Sequence, residues 1–340
     1  MPTPSVSRLF PTRETSKLLL VASLALSAGS VVGLSSEGLS AQETGVPTAR
    51  HFASSELTED RILDALFSAH PDNFRPIGTS SLTFQLQLAG TIDAAYRPET
   101  RIHPRGWAHE IAAYRLAVLL GLDNVPPARV RIIERGQLRR RIAPDWTGDA
   151  DAMLAPMIFN TNVPGVTTAR GAAIYWVPNL ERATLDQPEG LAVWSGWLTP
   201  GATLSSEQRI LARDLAAMCL FDALIGNGDR LSGGNLRTAT NGVQRVIIRD
   251  HNLAFPIRWG SGQRARIVDE LQHAQRFPRA LIEALQALDE TAVREATRDE
   301  IAGALLDDAQ IAVVLDRRAM VLSYVGALVE LHGEDAVLDL

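Results

Sequence analysis

Apolar and polar positions alternate most cleanly in one short stretch, where Leu82, Phe84, Leu86 and Leu88 are separated by Thr83, Gln85 and Gln87. Period two is the mark of a half-buried strand, here beginning at Ser80. Ala89-Gly90 turns it toward a second strand over residues 91–96, which Pro98 ends because proline cannot donate to a ladder. Ahead of this pair, Leu57, Ile62, Leu66 and Ala69 recur at helical spacing and predict a helix over 56–70, capped by Ser54 or Ser55. Pro76-Ile77-Gly78-Thr79 punctuates the link between helix and strand. Downstream, Ala112, Leu116, Leu119 and Leu120 predict a helix over 108–120 that Gly121 terminates. Asn124-Val125-Pro126-Pro127 forces extended backbone, and strands follow over 129–134 and 138–142, with Arg135-Gly136 as the turn. The first half therefore reads as a small sheet with one packed helix.

The second half reads differently. Residues 144–204 are rich in Pro, Gly, Asp and Thr and yield one strand over 172–177 and a section bearing Trp194 and Trp197, whose aromatics are packing residues. This composition suits an irregular link between lobes. At Ser205 a long helix opens, with Gln208 placed to complete a capping box. Ile210, Leu211, Leu215, Met218, Phe221 and Leu224 carry its buried face as far as Asp229. Then Asn241-Gly242 between two strand-like runs predicts a hairpin with a type I′ turn, in which both residues take positive φ. Beyond it the pattern is helical over 265–275, 278–287, 291–306 and 308–331.

Composition narrows the function classes. A chain of 340 residues with 46% hydrophobic content can bury a sizeable core. The net charge is −6 and the densest basic run is Arg139-Arg140-Arg141, which excludes a nucleic-acid footprint. Arg8, Arg13 and Lys17 precede an apolar run from Leu18 to Leu34 and a Leu39-Ser40-Ala41 ending, the order of a secretory signal. Residues 1–41 are thus expected to direct export with cleavage after Ala41; the length of the run leaves an uncleaved membrane anchor as the other outcome. Residues 42–54 read as a flexible leader. Lys17 is the chain's sole lysine, so a Walker A loop and a Schiff-base lysine are excluded after the signal, and any phosphate-binding cation must be arginine. Cys219, the single cysteine, falls in a helical apolar pattern and reads as a buried thiol.

Candidate chemistry concentrates between Leu220 and Phe255. Asp229 follows an apolar helix, Asn235 closes the glycine-bearing loop behind it, and Asp250 ends the buried run Val246, Ile247, Ile248. Hard oxygen donors of this kind suit Mg²⁺, although Asp and Asn at element ends are also ordinary caps and turn formers. Arg97 and Glu110, thirteen residues apart, can form a directed guanidinium–carboxylate pair or an ordinary ion pair. His109-Glu110 does not make a zinc site, because Ala113 stands where the second histidine one turn on is required. No G-x-S-x-G nucleophile elbow occurs.

Taken together, YRP at 96–98, HEIAAYRLAVLLGLDNVPPA at 109–128, FDALIGNGDR at 221–230 and RDHNLAF at 249–255 resemble one atypical kinase superfamily. It contains the FAM20-type secretory-pathway kinases, the HipA-type kinases and the bacterial phosphatidylinositol 3/4-kinase-like proteins. The resemblance implies an α+β, two-lobed protein-kinase-like fold: a β-rich N-lobe over 55–143, a hinge region over 144–204 and a helical C-lobe over 205–340. It implies ATP with Mg²⁺ or Mn²⁺ as cofactors, and a hydroxyl-bearing protein, glycan or small molecule as acceptor. Residue by residue, Arg97 matches the nucleotide-binding lysine, Glu110 its helix partner, Asp229 the catalytic aspartate, and Asn235 and Asp250 the metal ligands. Gly78 falls in the nucleotide-covering loop. Three departures stand out: arginine at 97, one residue more than usual between Asp229 and Asn235, and Asn252 in place of a glycine, a position where asparagine tolerates positive φ. An active kinase and a kinase-fold pseudoenzyme that binds nucleotide or acts as a scaffold are the two functions this implies.

Overall fold

The computed structural model of the protein describes residues 49–77, 81–88, 92–232, 234–260 and 262–340. The expected signal, most of the leader and Gly78 lie outside the described residues. Helix α1 (Glu59–Ser68) buries Ile62 and Leu66. Its cap is Thr58, whose Oγ1 accepts from the Arg61 N–H at 3.4 Å. Ser55, one of the expected caps, accepts instead from Leu57 N–H in a tighter turn.

Strands β1 (Pro71–Ile77), β2 (Thr83–Leu88) and β3 (Asp93–Pro98) pair antiparallel in succession. Phe84, Leu86 and Leu88 of β2 point into the core and Gln85 and Gln87 do not, as the period-two pattern requires. Strand β1 falls where only punctuation was expected. Its two prolines stand at the start and on an edge strand, where a missing N–H leaves no ladder bond unmade.

Helix α2 (Gly106–Leu119) is buried on nearly every side, because the sheet covers one face and helices of the other half cover the rest. The expected single stripe is therefore wrong at Leu119, which is 40% exposed. Strand β4 (Ala128–Glu134) follows. The predicted strand over 138–142 is instead helix α3 (Arg135–Arg140), whose only buried residue is Leu138. One apolar position among arginines offers no alternating face to a sheet.

Helix α4 (Ala150–Leu154), strand β5 (Asn160–Val163) and strand β6 (Val166–Tyr175) lie in the stretch expected to be irregular. Strand β6 is long and central: the sheet order is β1-β2-β3-β6-β4, with β5 folded against β6. Its polar first half, Val166 to Gly171, hid it from the hydrophobic pattern.

Helix α5 (Pro188–Trp197) buries Trp194, and helix α6 (Ser206–Ile225) is the spine of the helical half. The predicted capping box forms: Ser205 Oγ accepts from Gln208 N–H and Ser205 N–H donates to Gln208 Oε1. Cys219 is buried as a free thiol. Gly226, in the left-handed region at φ 72°, ends α6 three residues before Asp229.

Strands β7 (Leu180–Arg182), β8 (Arg237–Asn241) and β9 (Val243–Ile247) make a second sheet. The type I′ turn does not form, because Asn241 stays in the ladder opposite Val243 and of the two only Gly242 has positive φ. Arg245 clamps this sheet to α6, bonding both oxygens of Asp214 at 2.8 and 2.9 Å, and reaches Asp123 at 2.7 Å.

Helices α7 (Gln263–Gln272), α8 (Arg279–Ala287), α9 (Glu290–Ala296) and α10 (Asp308–His332) complete the half. The helix expected over 291–306 stops early. Asp299 accepts from the N–H groups of Ile301 and Ala302, each at 2.9 Å, and turns the chain into a small hairpin.

Candidate active site

Strand β3 buries Ala94 and Tyr96 on one face and turns Ala95 and Arg97 to the other. That alternation aims Arg97 at the helical half. Its Nη2 donates to Asp250 Oδ1 at 2.9 Å and its Nε stands 3.3 Å from Glu110 Oε1. Glu110, 3% exposed on α2, accepts the His251 N–H on its other oxygen at 3.1 Å. The sequence-predicted trio of Arg97, Glu110 and Asp250 is thus brought into direct contact, from positions up to 153 residues apart.

The charges of the trio are unequal. Burial raises the Glu110 pKa above the ordinary glutamate value, and Arg97 only partly offsets it. Burial also works against ionised Asp250, but Arg97, Arg249, Arg230 and His251 outweigh it and hold that carboxyl below its usual value. Asp250 is therefore the anion to which Arg97 is committed. It sits at φ 69°, and Phe255 at φ 59°, whereas Asn252 does not have the positive φ expected of it. Aspartate tolerates that region through its short polar side chain.

Asp229 and Asn235 form a second contact. Asn235 Nδ2 donates to Asp229 Oδ2 at 3.0 Å and to the Asp229 carbonyl at 2.9 Å. These bonds use the N–H side of the amide, and Oδ1 is the atom a hard cation would take. Beneath the loop, Arg230 bonds Asp222 through Nε at 2.7 Å and Nη2 at 3.0 Å. Its Nη1 donates to the Arg249 carbonyl and, at 3.5 Å, to that of Asn235. Asn227 Nδ2 joins Asp222 Oδ1 to the Asp250 carbonyl. One buried ion pair thus ties the backbone of both predicted metal ligands together.

A cavity of about 660 Å³ opens between the first sheet and the helical half. Its lining combines the apolar side chains of Ala95, Ile174, Val177 and Leu180 with the charged groups of Arg97, Glu110 and Asp250. Such a mixed lining suits a ligand with a flat apolar part and anionic groups. Among the described residues no group of three or more His, Cys, Asp and Glu side chains could hold a metal ion. Asp250, held as an anion, and Asn235 carry hard oxygens of the kind that a Mg²⁺-like ion takes alongside phosphate oxygens and waters.

No protein-family model matches the chain, and no curated protein matches it. Solved structures do. A Golgi casein kinase is 16% identical with a TM-score of 0.61, over 84% of this chain and 78% of that one. The Golgi casein kinase with Mn/ADP bound gives 16% and 0.60, over 82% and 78% of the two chains. Hydra Fam20 with sugar gives 18% and 0.59, over 84% and 93%. The chain has the fold of the FAM20-type atypical kinases.

Within this kinase fold, sequence reasoning missed residues that hold the segment after Asp250. His109 receives an N–H from Gln310 at Nε2 (3.0 Å), which leaves Nδ1–H to donate to the Asn252 carbonyl at 3.2 Å. Burial lowers its pKa to about 4, so the ring works as a neutral strut. The same Gln310 donates to the Phe255 carbonyl and completes the capping box of α10 with Asp307. Also missed were two cavity-lining arginines, Arg237 and Arg249. Their one sequence signal is arginine next to Asp250, at the end of a buried strand.

Proposed function

We propose that this chain is an ATP-dependent phosphotransferase that transfers the γ-phosphoryl group to a hydroxyl of a protein, glycan or small acceptor. The observation that carries the reading is the contact of Arg97 with Glu110 and Asp250 across the cavity, with Asp229 and Asn235 bonded on the adjoining loop. Bound ATP and its divalent metal would supply the transferable group and neutralise its charge. Asp250 and Asn235 would hold the metal, and the exposed carboxylate of Asp229 would orient the acceptor hydroxyl for in-line attack. Catalysis of this kind is positioning and electrostatics, which suits a site pinned by a buried ion pair. The leader pattern of residues 1–41 supports action outside the cytoplasm, and among the described residues no helix is long and apolar enough to cross a membrane.

The test is autophosphorylation, ATP turnover and Mn²⁺- or Mg²⁺-dependent thermal shift of the wild type beside Asp250→Ala. Metal-dependent turnover that Asp250→Ala abolishes is expected; no shift and no turnover in the wild type overturns the reading. One observation favours the pseudoenzyme alternative: Arg97 occupies the Asp250 oxygen that a metal would need. Arg97→Lys decides between them, since a large gain in turnover marks a decayed site and a loss marks an adapted arginine.

A further inference from the structure

Two arginines of the cavity make no ion pair among the described residues. Arg97 is divided between Glu110 and Asp250, so its charge is already matched. Arg249 lines the same cavity, makes no ion pair among the described residues, and has a buried Nε with no hydrogen-bond partner. Arg237, also without an ion pair there, is held in the wall by its Nε bond to the Gly234 carbonyl at 2.9 Å. The two guanidiniums line the same cavity within electrostatic reach of each other, of Arg230 and of the carboxylates of Asp250 and Glu110. An anion between two guanidiniums at a partly desolvated wall gains attraction from both.

We propose that Arg237 and Arg249 form a polyphosphate seat, taking phosphate groups of the nucleotide where a chain without lysine beyond residue 17 has no ammonium to offer. The planar fork of arginine matches phosphate oxygens two at a time. Arg97 is then a positioning residue that fixes Asp250 and Glu110, and the seat lies beside it. The proposal rests on the kinase reading only for the nucleoside half of the ligand.

Titration calorimetry of the full chain with ATP, adenosine and inorganic tripolyphosphate separates the two. Arg237→Gln and Arg249→Gln are each expected to weaken ATP and tripolyphosphate about tenfold and leave adenosine unchanged. Arg249→Lys recovers part of that loss. Equal loss of adenosine and ATP affinity, or unchanged ATP affinity in the double variant, overturns the seat. If the wild type takes tripolyphosphate but not adenosine, the seat stands and the nucleotide reading falls. If it takes ATP and the double variant does so equally well, the kinase reading stands and the seat falls.

Discussion

Arg230 and Arg97 both act on the charge of Asp250, and they are used in opposite ways. Arg230 is fully enclosed, grips both oxygens of Asp222 and spends its remaining donor on two carbonyls. Burial opposes its charge, yet Asp222 more than compensates and raises its pKa. Arg97 is 13% exposed at its side chain and faces two carboxylates, but its Nε and the nearest Glu110 oxygen have no hydrogen-bond partner. A fully satisfied pair in a low-dielectric interior fixes a loop, whereas a less completely bonded group at a cavity wall can be rearranged when a ligand arrives. The same residue type is buried scaffold in one place and a positioning group of the cavity in the other.

The largest expected effect tests the scaffold side. Arg230→Ala leaves Asp222 buried without its cation and should cost about 3–5 kcal/mol in urea denaturation. A loss below about 1 kcal/mol would erase the distinction drawn above. Arg97→Ala should do the reverse, lowering metal-dependent phosphotransfer about 100-fold while stability falls little, because the exposed cavity admits water and Glu110 can take up a proton. Turnover within a few-fold of wild type, read in a steady-state assay, would return Arg97 to the ordinary ion pairs.

Glu270 sharpens the comparison at smaller scale. Burial, followed by the charge of Asp222, raises its pKa well above the ordinary 4.5. A carboxyl with a raised folded pKa takes up a proton on folding, so it removes stability as pH rises from its unfolded value through its folded one. Glu270→Gln should flatten that decline, by on the order of 1 kcal/mol per pH unit within the window, in melting curves from acid to alkaline pH. An unchanged slope would mean that the Glu270 carboxyl titrates alike in the folded and unfolded chain. Smallest of all, Ser205→Ala should cost about 1 kcal/mol through the lost cap of α6, with turnover unchanged.

Several elements were legible because their causes are local. Phe84, Leu86 and Leu88 form the predicted face, Ser205 and Gln208 the predicted box, and Gly121, at φ 76°, lies just past the end of α2. Strands β1 and β6 were not legible. Pro71, Asp72 and Asn73 in β1, and Thr167, Thr168 and Arg170 in β6, carry no alternating apolar signal, and ladder bonds to neighbours hold them in the sheet. Arg237 and Arg249 were overlooked for a related reason: an arginine's sequence position does not say whether it faces water, a carboxylate or a cavity.

The sequence by itself determined the order of the blocks, the helix caps, the clean strand and the identity of the polar residues at element ends. Periodic burial and capping act over a few residues, so they can be read without a fold. Tertiary structure alone decided that Arg97, Glu110 and Asp250 meet, that Asn235 bonds Asp229, and which arginines are satisfied. Charge pairing in a buried site depends on distance and desolvation among atoms far apart in the chain, and those quantities exist only once the two halves have packed around α2.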